Sequence, residues 1–209
     1  MYSQDGSDAT AGEGFYWKYE SKLKKWDAEL YSVVGEAGEL FSIRTALYEP
    51  VPPDNILDDF MITLLITKNG YRIAYEPDAY ATETSSENVK EELKRKVRIA
   101  AGGIQSILRL ETLLNVFRHP VLSFQYVSHQ VLRWTVIPPL MILVFVLNLI
   151  FVIQGSVAHY LLLLAGQILF YMAAALGFLL EKRQLRNKSF FIPYYFVMMN
   201  YAVLAGIKR

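Results

Sequence analysis

The sequence predicts an α/β segment that leads, through interfacial helices, into an all-α transmembrane bundle. Three observations predict it. Charge is segregated, with most of it in residues 1–134 and almost none in residues 135–207 outside one loop. Two short stretches in the front part, around residues 32–44 and 71–75, have the glycine turns and alternation of strands. The C-terminal part holds apolar runs long enough to cross a hydrocarbon core of about 30 Å.

The elements follow in order. Residues 1–14 are polar and rich in Gly, Asp and Ser, which reads as loop and not as a secretory leader. Asp5, Asp8 and Glu13 lack the alternating spacing of a calcium loop. From residue 15 to 30, Tyr16, Tyr19, Leu23, Trp26 and Leu30 recur at three and four, a helical stripe that suits a core or a membrane surface. Residues 32–44 read as strand, glycine turn and strand. Pro50, Pro52 and Pro53 form an extended connector. Asp54 or Asn55 can cap a helix over 57–68, which Asn69-Gly70 ends. Residues 71–75 alternate as a strand, and Glu76-Pro77-Asp78 turns out of it.

Thr84-Ser85-Ser86-Glu87 has the spacing of a capping box for the next helix. Val89, Leu93 and Val97 share one face of that helix, and Lys90, Lys94, Arg95 and Arg98 lie on others. Gly102-Gly103 loosens it, and apolar periodicity resumes through Leu114. Residues 112–134 mix aromatic, histidine and arginine side chains with Leu and Val, as in an amphipathic segment lying at the membrane interface. Residues 135–153 and 160–180 carry no charge, and each can span the bilayer. Residues 190–207 contain Pro193, Asn200 and Gly206 and are either a short crossing or a re-entrant segment. Arg118 and Arg133 before the first span, and Lys182, Arg183, Arg186 and Lys188 in the second loop, put residues 1–134 and 181–189 in the cytoplasm.

Bulk properties exclude several classes. Net charge is +1, so no global field favours nucleic acid. Cysteine is absent, which removes disulfides and thiolate metal sites. Hydrophobic residues make up 53% and charged residues 20% of the chain, a mixture that the segregation of charge explains.

Two features carry chemistry. Asp58 and Asp59 are adjacent carboxylates in an apolar setting, suited to taking a proton from a hydroxyl. They equally suit the first turn of a helix, where acidic groups complement the dipole. Lys94, Arg95, Lys96 and Arg98 can stabilise a departing phosphate, or can simply be a solvated or headgroup-facing helix surface. His119, His129 and His159 are too scattered to argue for a metal site.

Five stretches in order add a resemblance. They are Val33-Val34-Gly35-Glu36-Ala37-Gly38-Glu39-Leu40-Phe41-Ser42-Ile43-Arg44, Ile56-Leu57-Asp58-Asp59-Phe60, Gly70-Tyr71-Arg72, Tyr75-Glu76-Pro77-Asp78-Ala79 and Arg95-Lys96-Val97-Arg98-Ile99-Ala100-Ala101-Gly102-Gly103. Ahead of membrane spans, this set resembles the bacterial membrane family-2 glycosyltransferases, relatives of cellulose and hyaluronan synthases, from about residue 13 to the C-terminus. The resemblance implies a glycosyltransferase-A-type domain of which only the C-terminal half is present. It makes residues 1–111 that half, 112–134 an interfacial segment and 135–209 a transmembrane region of two to three spans.

The resemblance also implies roles. Asp59 becomes the general base with Asp58 its neighbour. Arg98 contacts the diphosphate, with Arg95 and Lys94 beside it. Gly35, Glu36, Gly38 and Glu39 lie on the acceptor side. In the family's Gln-x-x-Arg-Trp motif, Arg95 replaces glutamine and Ile99 replaces tryptophan, which puts acceptor stacking and processive synthesis in doubt. Gln130-Val131-Leu132-Arg133-Trp134 matches that motif literally but abuts the first span, and reads as an interfacial anchor.

The implied function is inverting transfer of a sugar from a nucleotide-sugar donor to a glycan or lipid-linked acceptor, at the cytoplasmic face of a bacterial inner membrane. The expected cofactor is a divalent cation, Mg or Mn, whose ligands are not in this chain. The expected partners are the bilayer and an N-terminal half or partner subunit that supplies the donor site, without which the chain is expected to be inactive. The alternative is a non-catalytic membrane anchor, an assembly subunit or a truncated gene product.

Overall fold

A computed structural model describes residues 9–35, 40–79, 89–155, 158–183 and 188–208. Helices dominate them: α1 (Ala9–Leu30), α2 (Asp58–Lys68), α3 (Val89–Arg109), α4 (Pro120–Tyr126), α5 (Ile137–Ile153), α6 (Ala158–Lys182) and α7 (Lys188–Ile207). A π-helical stretch, Val127–Val136, joins α4 to α5 without a break.

No strand occurs among the described residues, so the expected α/β domain is replaced by a helical arrangement. Two of the expected strands do meet. The N–H of Val33 donates to the carbonyl of Ile73 at 3.0 Å, but the N–H of Ile73 turns to the hydroxyl of Ser32 at 2.9 Å. A ladder needs a succession of backbone pairs. Here one backbone bond is followed by a side-chain substitute, and the segments stay extended without becoming a sheet. Residues 41–44 are coil leading to a single 3-10 turn, Thr45–Leu47, where a second strand was expected.

Other elements are also adjusted. α1 begins at Ala9, inside the stretch expected to be loop. Its aromatic stripe faces outward: Tyr19 and Trp26 are exposed, Lys22 lies 4.8 Å over the Trp26 ring, and Asp27 is buried instead. α2 forms as expected, with Asp58 and Asp59 in its first turn, Lys68 in its last, and Gly70 at φ 87° beyond it. Its N-cap is Leu57, with no side-chain cap bond. Asn55 instead donates its amide to the carbonyl of Leu57 at 2.7 Å. The capping box at residues 84–87 lies outside the described residues.

α3 runs straight through Gly102 and Gly103, and both glycines serve close packing. A Cβ on Gly102 would collide with Leu57 and Ile56, and one on Gly103 with the ring of Trp134. The core gathers Val34, Phe60, Leu64, Ala100, Leu113, Tyr126 and Trp134 from the front part of the chain, with Val203 from α7.

Three helices among the described residues are long and apolar enough to cross a membrane: Pro120–Ile153, Ala158–Lys182 and Ser189–Ile207. The first is a continuous rod of 34 residues. At 1.5 Å per residue it is about 50 Å long, well beyond the hydrocarbon thickness. Its N-terminal part therefore extends out of the apolar layer and carries the front part of the chain.

α6 and α7 pack as an antiparallel pair. Gly177 admits Phe190 and Tyr194, and the Phe170 and Phe196 rings lie 5.8 Å apart. Beyond Tyr195, α7 turns its buried side to α3: Met198, Ala202 and Val203 are buried, and a Cβ on Gly206 would stand 2.9 Å from both the Cβ of Ala100 and the N of Ala101.

Candidate functional site

Asp58 is exposed and Asp59 half-buried at the N-terminal end of α2. One carboxylate oxygen of Asp59 accepts the N–H of Phe60 at 2.8 Å. The segment that delivers them is fastened to α3. The N–H of Ile56 donates to the Gln105 side chain at 3.0 Å, and the Gln105 amide donates to the carbonyl of Asp54 at 3.0 Å. Arg109 donates to the Asn55 side chain at 3.0 Å and pairs with Asp54.

These contacts define one face of α3. Arg98, Gly102, Gln105 and Arg109 are spaced four, three and four apart, which is the repeat of a single helical stripe. The exposed Arg98 is one turn, about 6 Å along the axis, from the glycine on which Ile56 and Leu57 rest. Arg98 thus lies one turn along α3 from the residues that lead into α2.

The remaining cations divide. Arg95 and Lys96 hold the buried Glu92 at 3.2 and 3.1 Å. Lys94 is exposed. Gly35, at φ 76°, lies so close to the Phe60 ring that a Cβ there would overlap it. Glu36, Gly38 and Glu39 lie outside the described residues.

The stretch read as an anchor proves central to this junction. Trp134 is only 8% exposed. Its ring lies against Gly103 and meets Phe60 edge-on with centroids 5.4 Å apart. Gln130 donates its amide to the carbonyl of Val34 at 3.2 Å. Arg133 of the stretch and the preceding His129 turn to α1: His129 Nδ1 bonds the Asp27 carboxylate at 2.7 Å, and Arg133 reaches Glu20 at 3.5 Å. Asp27, itself 6% exposed, also accepts from the Gln125 amide at 2.9 Å.

All four residues sit within the π-helical stretch, in pairs four apart. The pair Gln130 and Trp134 faces the core, and the pair His129 and Arg133 faces α1. Helical stretches of this kind are rare and concentrate at functional sites. The literal match of residues 130–134 to the family motif was the signal that marked them. Proximity to the span masked it, because tryptophan and arginine beside an apolar run also describe an anchor.

Among the described residues, no three His, Asp or Glu side chains gather as a metal site would require. The chain matches no protein-family model, no curated protein and no solved structure.

Proposed function

We propose that this chain is part of a membrane-bound inverting glycosyltransferase. Asp59 removes the proton from an acceptor hydroxyl. That oxygen bonds to the anomeric carbon of the sugar as the bond from this carbon to the diphosphate oxygen breaks. The nucleoside diphosphate departs with the electron pair, and the Arg98 guanidinium offsets its developing charge. The observation that carries the reading is the junction itself. The Asp59–Phe60 corner is held by Gly35, by Trp134 and by the α3 stripe that continues to Arg98. Side chains held by surrounding packing are what positional catalysis needs.

Asp58, exposed beside it, adds negative charge near the base. Lys94 extends the cationic surface, and Arg95 contributes through its hold on Glu92. The divalent cation expected for this class finds no fitting ligand set among the described residues, and no step here passes through one. The acceptor is a glycan or a lipid-linked molecule.

The front part of the chain faces the cytoplasm of a bacterial inner membrane. One side of the second half of α7 packs against α3.

The engagement of Arg133 with Glu20, which ties the π-helical stretch to α1, favours a second reading as an assembly subunit whose charges only hold helices together. Asp59→Asn separates the two. In the full-length context it is expected to lower sugar transfer from a panel of labelled nucleotide sugars by about a hundredfold or more, with membrane insertion unchanged. Transfer within threefold of wild type would refute the catalytic reading.

A further inference from the structure

A groove of about 530 Å3 runs between α5 and α6, away from the Asp59 junction. Ile137, Leu140, Val144, Leu163 and Phe170 line it, and Gly166 leaves its wall open, since a Cβ there would meet nothing within 4 Å. Polar lining comes from Gln167 and Tyr171. Gln167 is tied across the pair by the amide of Asn148 at 2.9 Å.

Two observations decide what the groove can hold. It lies on two of the helices long and apolar enough to cross a membrane, so its surroundings are hydrocarbon. It also begins at Ile137, on the same unbroken rod as Trp134 and less than one turn beyond it, and the Trp134 ring touches the residue next to Asp59. A single alkyl chain lying in the groove would therefore carry its headgroup toward the catalytic corner. A water-soluble glycan would gain nothing from an apolar wall at this depth.

We infer that the groove between α5 and α6 seats one hydrocarbon chain of a glycolipid acceptor whose sugar hydroxyl is presented to Asp59. The inference rests on the proposed transferase reading and narrows its acceptor to the lipid-linked class. Gly166 is the test position, because it lines the groove and a Cβ there meets nothing within 4 Å.

The experiment uses the full chain in phosphatidylcholine nanodiscs and an alkyl glucoside bearing a diazirine in its chain. Photolabelling is expected to concentrate on peptides covering 137–144 and 162–171, to saturate, and to be displaced by excess unlabelled alkyl glucoside. Gly166→Leu is expected to reduce it at least tenfold. Labelling that rises linearly with probe, spreads evenly over the three apolar helices, or is unchanged in Gly166→Leu would identify the groove as ordinary lipid contact and overturn the inference.

Asp59→Asn, with transfer measured in the full-length context, distinguishes the two levels, because labelling needs no base. If Asp59→Asn abolishes transfer to a water-soluble acceptor while the groove labels as bulk lipid, the transferase reading stands and the groove falls. If labelling saturates while Asp59→Asn leaves transfer untouched, the chain-binding site stands, the transferase reading falls, and the presentation to Asp59 falls with it.

Discussion

Trp134→Ala is the sharpest test of the junction. The indole is almost wholly buried, wedged against Gly103 and edge-on to Phe60. Truncating a core tryptophan costs about 3–5 kcal/mol. The aromatic pair accounts for about 0.5–1.5 kcal/mol of that, which a double-mutant cycle with Phe60→Leu would isolate. Trp134→Phe keeps a ring in place and is expected to recover at least half of the loss. The assay is reversible unfolding in detergent followed by circular dichroism, with Gly166→Ala as a control on the same membrane region. An anchor at headgroup level gives a different pattern: little change in unfolding free energy, with a dependence on headgroup type. A loss below about 1 kcal/mol for Trp134→Ala would refute the inward placement, and with it the idea that this ring braces Asp59.

Two further substitutions probe the contacts around this junction. Asp27→Ala leaves His129 without its carboxylate and removes one of two acceptors of the buried Gln125 amide, which keeps the Asp27 backbone carbonyl at 2.9 Å, at about 1–3 kcal/mol in all. Protease cleavage within α1 should then become faster, and a rate equal to wild type would count against the latch between α1 and the π-helical stretch. Gly206→Val forces α7 off α3, because the new side chain meets backbone at Ala101 and the carbonyl of Val97 at 3.1 Å. A cysteine placed at Ala202, a position buried in the wild type, should become reactive to a thiol reagent as the segment detaches, and unchanged protection would argue against the packing.

Part of this molecule was legible in the sequence because it is local. The apolar runs mark their own helices, since length and the absence of charge suffice to recognise a span. The acidic start of α2 and its Asn69-Gly70 end are set within a few residues of each other. The extended character of residues 32–34 and 71–75 was legible too, but whether they became a sheet was not. That depended on the hydroxyl of Ser32 taking the hydrogen bond a neighbouring carbonyl would otherwise accept.

Residues 130–134 show the same division from the other side. Their sequence identifies a tryptophan and an arginine beside an apolar run and cannot say which way they face. The π-helical turn and the missing Cβ of Gly103 decide it, by opening space for an indole that would otherwise lie at the lipid surface. Likewise α7 reads as a span by composition, and only the close fit of Gly206 on Ala100 and Ala101 covers its second half with protein. Periodicity and composition determined which segments are helical and which are apolar, because those are properties of neighbouring residues. The tertiary structure alone decided which partner each face meets, because that depends on contacts between residues far apart in the chain, where a single absent methyl group or one redirected hydrogen bond selects the outcome.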